Sequence, residues 1–254
     1  MRKDYFEIVT ISLISLVVLL SGCEKEAVDD GLSGDLVGYI TLQSKTDHSD
    51  VEVIVENAES LKVVKTDEDG KYVVEGLKGG VYDIVFSKEG YGQYKIQRYT
   101  FTGGSKKPTY LQNSYLYPLP DIQVNNLELK EYKVNDIIKL QATAGLSCDY
   151  IGYTYFRYYL SDQPDVSYLN YKWTDLVPHY RENQLEFCFS VDISMFPVGS
   201  DLYIIVYPAA TGTAQYYDDV NTGKKIYTTI NINRPSNTAK ITVPNLQLPL
   251  DYKM

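Results

Sequence analysis

What most limits the folds open to this chain is its rhythm: short runs of Val, Ile and Tyr, cut at regular intervals by Gly, Asp, Asn and Pro. Residues 36–43, 51–57, 61–66, 71–75 and 81–87 are rich in the β-branched and aromatic types that suit a pleated, half-buried surface. Between them stand Asp67-Glu68-Asp69-Gly70 and Gly76-Leu77-Lys78-Gly79-Gly80, where glycine takes positive φ at no steric cost. No helical period of useful length interrupts the series. Strands this short at such even spacing predict an all-β chain folded as a sandwich. The pattern restarts after Tyr117-Pro118-Leu119-Pro120, and proline cannot donate to a sheet ladder, so a boundary is expected there. The expectation is two tandem β-sandwiches, over 35–118 and 119–254.

Ahead of both lies a segment of another kind. Arg2 and Lys3 precede the apolar run 8–20, in which only Thr10, Ser12 and Ser15 are polar. A basic start, a short apolar centre and small residues at the cut describe a secretory signal. The run is too short to span a bilayer comfortably, which takes about 20 apolar residues. Leu20-Ser21-Gly22-Cys23 closes it and resembles the lipobox of bacterial lipoproteins. The resemblance implies removal of residues 1–22, lipidation of the Cys23 sulfur and acylation of the new amino terminus. Each buried methylene contributes about 0.8 kcal/mol, so two or more acyl chains anchor stably where one does not. Residues 23–34 begin with Glu24, Glu26, Asp29 and Asp30 and form a polar tether unable to bury a core. This acidic stretch resembles the surface-export signal of Bacteroidetes lipoproteins, which implies an outer-membrane protein facing the cell exterior. A plain linker on a periplasm-facing lipoprotein is the alternative.

Arg2 and Lys3 balance Asp4 and Glu7, so the mature chain keeps the full net charge of −9. That balance speaks against a nucleic-acid partner, which is gripped by clustered Lys and Arg. Of the three cysteines, Cys148 and Cys188 remain after Cys23. In residues 185–192 the apolar side chains alternate, placing Cys188 with Glu186, Ser190 and Asp192 away from the core. Whether Cys148 and Cys188 pair is left open, the export compartment being one where a disulfide persists.

In the first unit, three ordered motifs follow Gly38-Tyr39-Ile40-Thr41-Leu42. They are Thr66-Asp67-Glu68-Asp69-Gly70-Lys71-Tyr72, Gly76-Leu77-Lys78-Gly79-Gly80-Val81-Tyr82 and Phe86-Ser87-Lys88-Glu89-Gly90-Tyr91. Together they resemble the carboxypeptidase regulatory-like domain, which implies a transthyretin-like (prealbumin-like) sandwich. Asp67 is expected to bond its own hairpin turn, Leu77 to plug the end of the sandwich and Gly80 to allow a close approach. The resemblance carries a fold and no catalysis. A zinc carboxypeptidase needs a His-x-x-Glu pair and a distant second His. Here only His48 and His179 exist, and both read as exposed loop residues. Asp67–Gly70 also fails as a calcium loop, since an EF-hand needs Gly sixth and Glu twelfth; Lys78 stands at position twelve.

In the second unit the strand candidates are 122–130, 137–144, 150–161, 168–174, 184–193, 202–208, 226–233 and 238–243. Their order and spacing look like a fibronectin type III or immunoglobulin-like sandwich. Strand 202–208 is apolar on both faces and should lie centrally; Tyr203 falls near the position of a corner tyrosine. Tyrosine is the dominant aromatic, with 25 residues against 7 Phe and 1 Trp. Tyr150, Tyr153, Tyr155, Phe156, Tyr158 and Tyr159 crowd one strand, with Tyr168, Tyr171 and Trp173 on the next. Tyr155, Tyr171 and Trp173 could form a flat platform for sugar rings, with Asp162, Gln163 and Asp165 nearby to bind hydroxyl groups. The competing reading is that these aromatics are cross-strand pairs and sandwich core.

No Gly-x-Ser-x-Gly elbow, phosphate-cradling Gly loop or metal-ligand His pair is present. The expectation is a non-catalytic, cofactor-free protein, held to the membrane by lipid, that binds a polysaccharide or oligosaccharide as an accessory to outer-membrane uptake. The alternative is an assembly module contacting another envelope protein, such as a transporter or adhesive fibre.

Overall fold

The computed structural model describes residues 32–134, 137–146, 152–181, 186–210 and 215–245. Cys23 and the rest of residues 23–31, Cys148 and Tyr150 lie outside the described residues, whereas Ser33 and Gly34, expected in the tether, begin the first strand, paired with Lys78 and Leu77.

The first unit has eight strands: β1 (Ser33–Leu42), β2 (Glu52–Glu56), β3 (Lys62–Lys65), β4 (Lys71–Lys78), β5 (Gly80–Ser87), β6 (Tyr94–Phe101), β7 (Thr109–Tyr110) and β8 (Ser114–Leu116). One sheet runs β4–β1–β7, with the short β8 also parallel to β1, and the facing sheet runs β3–β2–β5–β6. Leu36, Ile40, Val53, Val55, Ile84, Phe86 and Leu116 fill the space between them. The turn between β3 and β4 follows its sequence. The Asp67 carboxylate accepts the backbone N–H groups of Asp69 (3.1 Å) and Lys71 (2.8 Å). Gly70 has φ +79°, and a Cβ there would stand 2.0 Å from the Ile40 carbonyl oxygen. Leu77 is buried, and the Tyr82 ring lies over Gly80 with its hydroxyl donating to the Lys78 carbonyl at 2.9 Å. The expected turn at 76–80 is narrower than its glycines suggest, because β4 continues to Lys78.

The second unit comprises β9 (Val124–Val134), β10 (Ile137–Leu146), β11 (Gly152–Ser161), β12 (Trp173–Arg181), β13 (Glu186–Val191), β14 (Asp201–Ala209), β15 (Tyr216–Asp218), β16 (Lys225–Tyr227) and β17 (Ala239–Thr242). Sheet β13–β10–β9 packs on sheet β12–β11–β14–β17, a fibronectin III/immunoglobulin-like sandwich, and β15–β16 is a separate hairpin. As expected from its two apolar faces, β14 is internal. Leu202, Ile204 and Val206 enter the sandwich core, while Ile205, Tyr207 and Ala209 enter a second, outer cluster.

Several local expectations change. Neither histidine is an exposed loop residue: half-buried His48 accepts the Leu42 N–H on Nδ1 at 3.2 Å. His179 sits in β12, its ring 5.5 Å from Phe187 and 6.3 Å from Phe156. Tyr203 does not form a corner; its ring lies under Lys240, 5.4 Å from the ammonium. Cys188 is exposed and free, on the solvent side of β13 as the alternation required.

Candidate functional site

The aromatic strand β11 has two faces with different roles. On its inner face Phe156 stacks on Phe187 at 4.3 Å between centroids, Tyr158 on Phe189 at 5.1 Å, and Leu160 is fully buried. Trp173 pairs in register with Leu160 and therefore lies on this face, at the start of β12 where it stays 37% exposed. It bonds the Tyr158 hydroxyl, which burial and then the charge of Asp175 push up to about 12. On the outer face stand Tyr155, Arg157 and Tyr159. Tyr159 is fully buried, with edge contacts to Tyr171 (5.1 Å) and Tyr207 (5.6 Å), and burial pushes its hydroxyl up. Arg157 is 5% exposed; its guanidinium lies 3.6 Å from the centre of the Tyr227 ring and reaches Thr174 Oγ1 at 3.5 Å.

The three expected platform residues therefore do not share a surface. Trp173 is on the inner face, whereas Tyr155 and Tyr171 are on the outer one. Tyr171 is committed to structure, its hydroxyl donating to the Lys225 carbonyl at 2.8 Å. The loop 162–172 folds back over Tyr159 and Tyr207, so that seven tyrosines, these two with Tyr155, Tyr168, Tyr171, Tyr203 and Tyr227, join a second small core. Asp162 pairs with Lys172, and that ammonium holds its carboxyl below the usual carboxylate range. Asp165 is exposed in the same loop.

Of the five, Tyr155 opens onto a concave space. Between the two units lies a cleft of 590 Å³, lined by Gln43 and Ser44 from the first, the linker from Tyr117 to Ile122, and Thr154, Tyr155, Ala209 and Ala210 from the second. The volume is within the range of roughly 300–1,000 Å³ usual for small-ligand sites. The linker does not hang free there. Tyr117 O accepts the Gly92 N–H at 2.9 Å, and Leu119 N–H donates to Gly90 O at 2.8 Å. Asn231 Nδ2 donates to Pro120 O at 2.9 Å. Asp121, the charged group in the lining, is neutralised by Arg234 at 2.6 Å. The walls therefore present two half-buried tyrosines, the aliphatic Pro118, Leu119, Pro120, Ile122, Ala209 and Ala210, and the uncharged polar groups of Gln43 and Ser44. Thr154 is 5% exposed and adds no accessible hydroxyl to the wall, since its Oγ1 is buried on the side of β11 that carries Phe156 and Tyr158. Such walls suit a neutral ligand with apolar C–H faces and several hydroxyl groups. Among the described residues no group of three His, Cys, Asp or Glu is placed to hold a metal ion.

Sequence reasoning missed the cleft and the β15–β16 hairpin. The hairpin had a signal: Asn221-Thr222-Gly223 between Tyr216-Tyr217 and Ile226-Tyr227 is turn chemistry, with Gly223 N–H bonding Asp219 O at 2.8 Å. The cleft had none, because its walls are far apart in the chain.

No known family profile matches this sequence, and no curated protein matches it. Among solved structures, a Bacteroides uniformis protein proposed to bind carbohydrate aligns at TM-score 0.30 and 12% identity, over 84% of this chain and 100% of its own. A DUF3823 family protein from Bacteroides uniformis aligns at 0.29 and 12%, again over 84% and 100%. BcpA, the major pilin subunit of Bacillus cereus, aligns at 0.32 and 12%, over 83% and 69%. Likeness this low says nothing of what the chain binds.

Proposed function

We propose that this is a lipid-anchored, non-catalytic envelope protein that captures a neutral saccharide in the cleft between its two sandwiches. The observation that carries the reading is the cleft itself, near-neutral and lined by Tyr117, Tyr155 and uncharged polar groups. Aromatic rings receive the C–H faces of a sugar, while Gln43 and Ser44 supply hydrogen-bonding groups to its hydroxyls. The first unit is read as a carboxypeptidase regulatory-like domain on its three motifs. Cys23 is read as the lipid attachment point, with the acidic tether directing the protein to the outer face of the outer membrane. Cys23→Ala should release the protein from the membrane fraction, and added protease should digest the wild type on intact cells.

Binding is tested on a panel of neutral polysaccharides and oligosaccharides by affinity electrophoresis and calorimetric titration. Tyr155→Ala and Tyr117→Ala should each lose most of the retardation, whereas Trp173→Ala, on the inner face, should keep it. Equal loss in Trp173→Ala, or no retardation of the wild type on the panel, counts against the cleft.

A second reading, contact with another envelope protein, is favoured by the edge strand β3. Its neighbour Leu61 is 72% exposed and Val63 47% exposed, and the unpaired backbone of an edge strand is a template for pairing with another chain, although Lys62 and Lys65 flank the two valines of this short strand. Pull-down from intact envelopes should then recover one stoichiometric partner, lost in Val63→Lys.

A further inference from the structure

The cleft draws on both units, and one stretch of the second, 215–235, ties them together. The Gln97 side chain makes two hydrogen bonds with the Asp218 backbone, Nε2 donating to its carbonyl at 2.8 Å and Oε1 accepting its N–H at 3.0 Å. Lys95, fixed by Glu56 at 2.7 Å and Asp83 at 3.0 Å, stands 5.4 Å from the centre of the Tyr217 ring. Gln215 Nε2 donates to the Tyr115 carbonyl at 3.1 Å. Further along the same stretch, Asn231 and Arg234 hold the linker at Pro120 and Asp121.

The backbones of the two units also come close at Gly92. It is buried, and a Cβ there would stand 2.9 Å from the Thr228 carbonyl oxygen and 3.1 Å from Thr229 Cα. Backbone atoms cannot swing aside as the end of a flexible side chain can. Gly92 lies outside the left-handed region, unlike Gly70 and Gly90. Its lack of a side chain is therefore required by what the second unit places against it. The same residue bonds the linker through its N–H, so one position sets both the docking of the units and the course of the chain between them.

We infer that the two sandwiches act as one receptor of fixed mutual orientation, with Gly92 as a positioning residue for the cleft. The inference rests on the saccharide reading of that cleft for its functional half only. The first sandwich is then one wall of the site, supplying Gln43 and Ser44, and not merely a spacer between membrane and second unit. The hairpin β15–β16, inserted between β14 and β17, is the clasp that holds the wall in place.

The test is calorimetric unfolding of the full chain beside Gly92→Val and Gln97→Ala, followed by saccharide titration. The wild type should melt in one transition and Gly92→Val in two, as the units lose contact while each keeps its core. Gln97→Ala removes both bonds to Asp218 without touching either core, and should lower the single midpoint by several degrees. Two separate transitions in the wild type, or a Gly92→Val melt identical to wild type, overturns the inference. Should Gly92→Val fail to fold, Gln97→Ala decides, and an unchanged midpoint overturns it. For a saccharide the wild type retains, Gly92→Val should bind at least tenfold more weakly with Tyr155 intact; unchanged affinity overturns the positioning role. If the wild type retains no saccharide, the saccharide reading fails by itself, and the unfolding arm still decides whether the units are coupled.

Discussion

The two faces of β11 are built from the same residue types and behave differently. The inner face joins two sheets, and its rings stack within a continuous apolar layer with Phe187, Phe189 and Leu140. The outer face meets the small hairpin β15–β16, through Tyr227, in place of a broad second sheet. It is covered by the loop 162–172 and by residues around Tyr227 and Ile230, and its rings meet edge-on around a buried guanidinium. Loops and a two-stranded hairpin leave backbone carbonyls that need donors, and tyrosine supplies an apolar body with a donor at its tip. Tyr171, bonded to Lys225 O, does both. Much of the tyrosine excess on these strands is therefore the composition of a core covered by loops, and only at its end, where Tyr155 meets the linker, does this face open to a cleft.

Mutations can break that contrast in order of size. Phe156→Ala, on the inner face, should cost about 3–5 kcal/mol in urea unfolding, since the void lies between two sheets that cannot collapse around it. Tyr227→Ala should cost about 2 kcal/mol, the scale of a desolvated cation–π contact, by uncovering Arg157. An inner-face loss no larger than the outer-face one would erase the distinction. Tyr159→Phe should gain about 1 kcal/mol, because it deletes a buried hydroxyl that has no partner. The smallest effect is on acid stability of the cover. Lys172 depresses the Asp162 carboxyl in the folded state, so its stabilisation is complete above the unfolded value near ~4 and fades as pH falls through the lower folded value. Near-ultraviolet circular dichroism of the tyrosines should therefore fade on acidification below about pH 4, and less steeply in Asp162→Asn.

Much of this architecture was legible beforehand where a local rule decides it. The Asp67–Gly70 turn, the two-sided burial of β14 and the outward Cys188 follow from turn chemistry and from the period of two. The faces of β12 were not legible for the same reason of period. Placing a strand over 168–174 instead of beginning it at Trp173 loses the register that sets Trp173 opposite Leu160, and a one-residue slip reverses every side chain. Nothing local to Tyr155 distinguishes it from Tyr159, four residues on and fully buried; what distinguishes them is which segment of distant chain arrives above each. Gly92 is of this kind too, since its neighbour Thr228 lies far along the sequence.

The most direct test of the central claim is methyl NMR of alanine-labelled protein titrated with a saccharide retained in the panel. Ala209 and Ala210 line the cleft, whereas Ala142 and Ala144 lie in the sandwich core. The account predicts saturable shifts at Ala209 and Ala210 with Ala142 and Ala144 unmoved. Binding that leaves Ala209 and Ala210 in place would put the ligand elsewhere and contradict it.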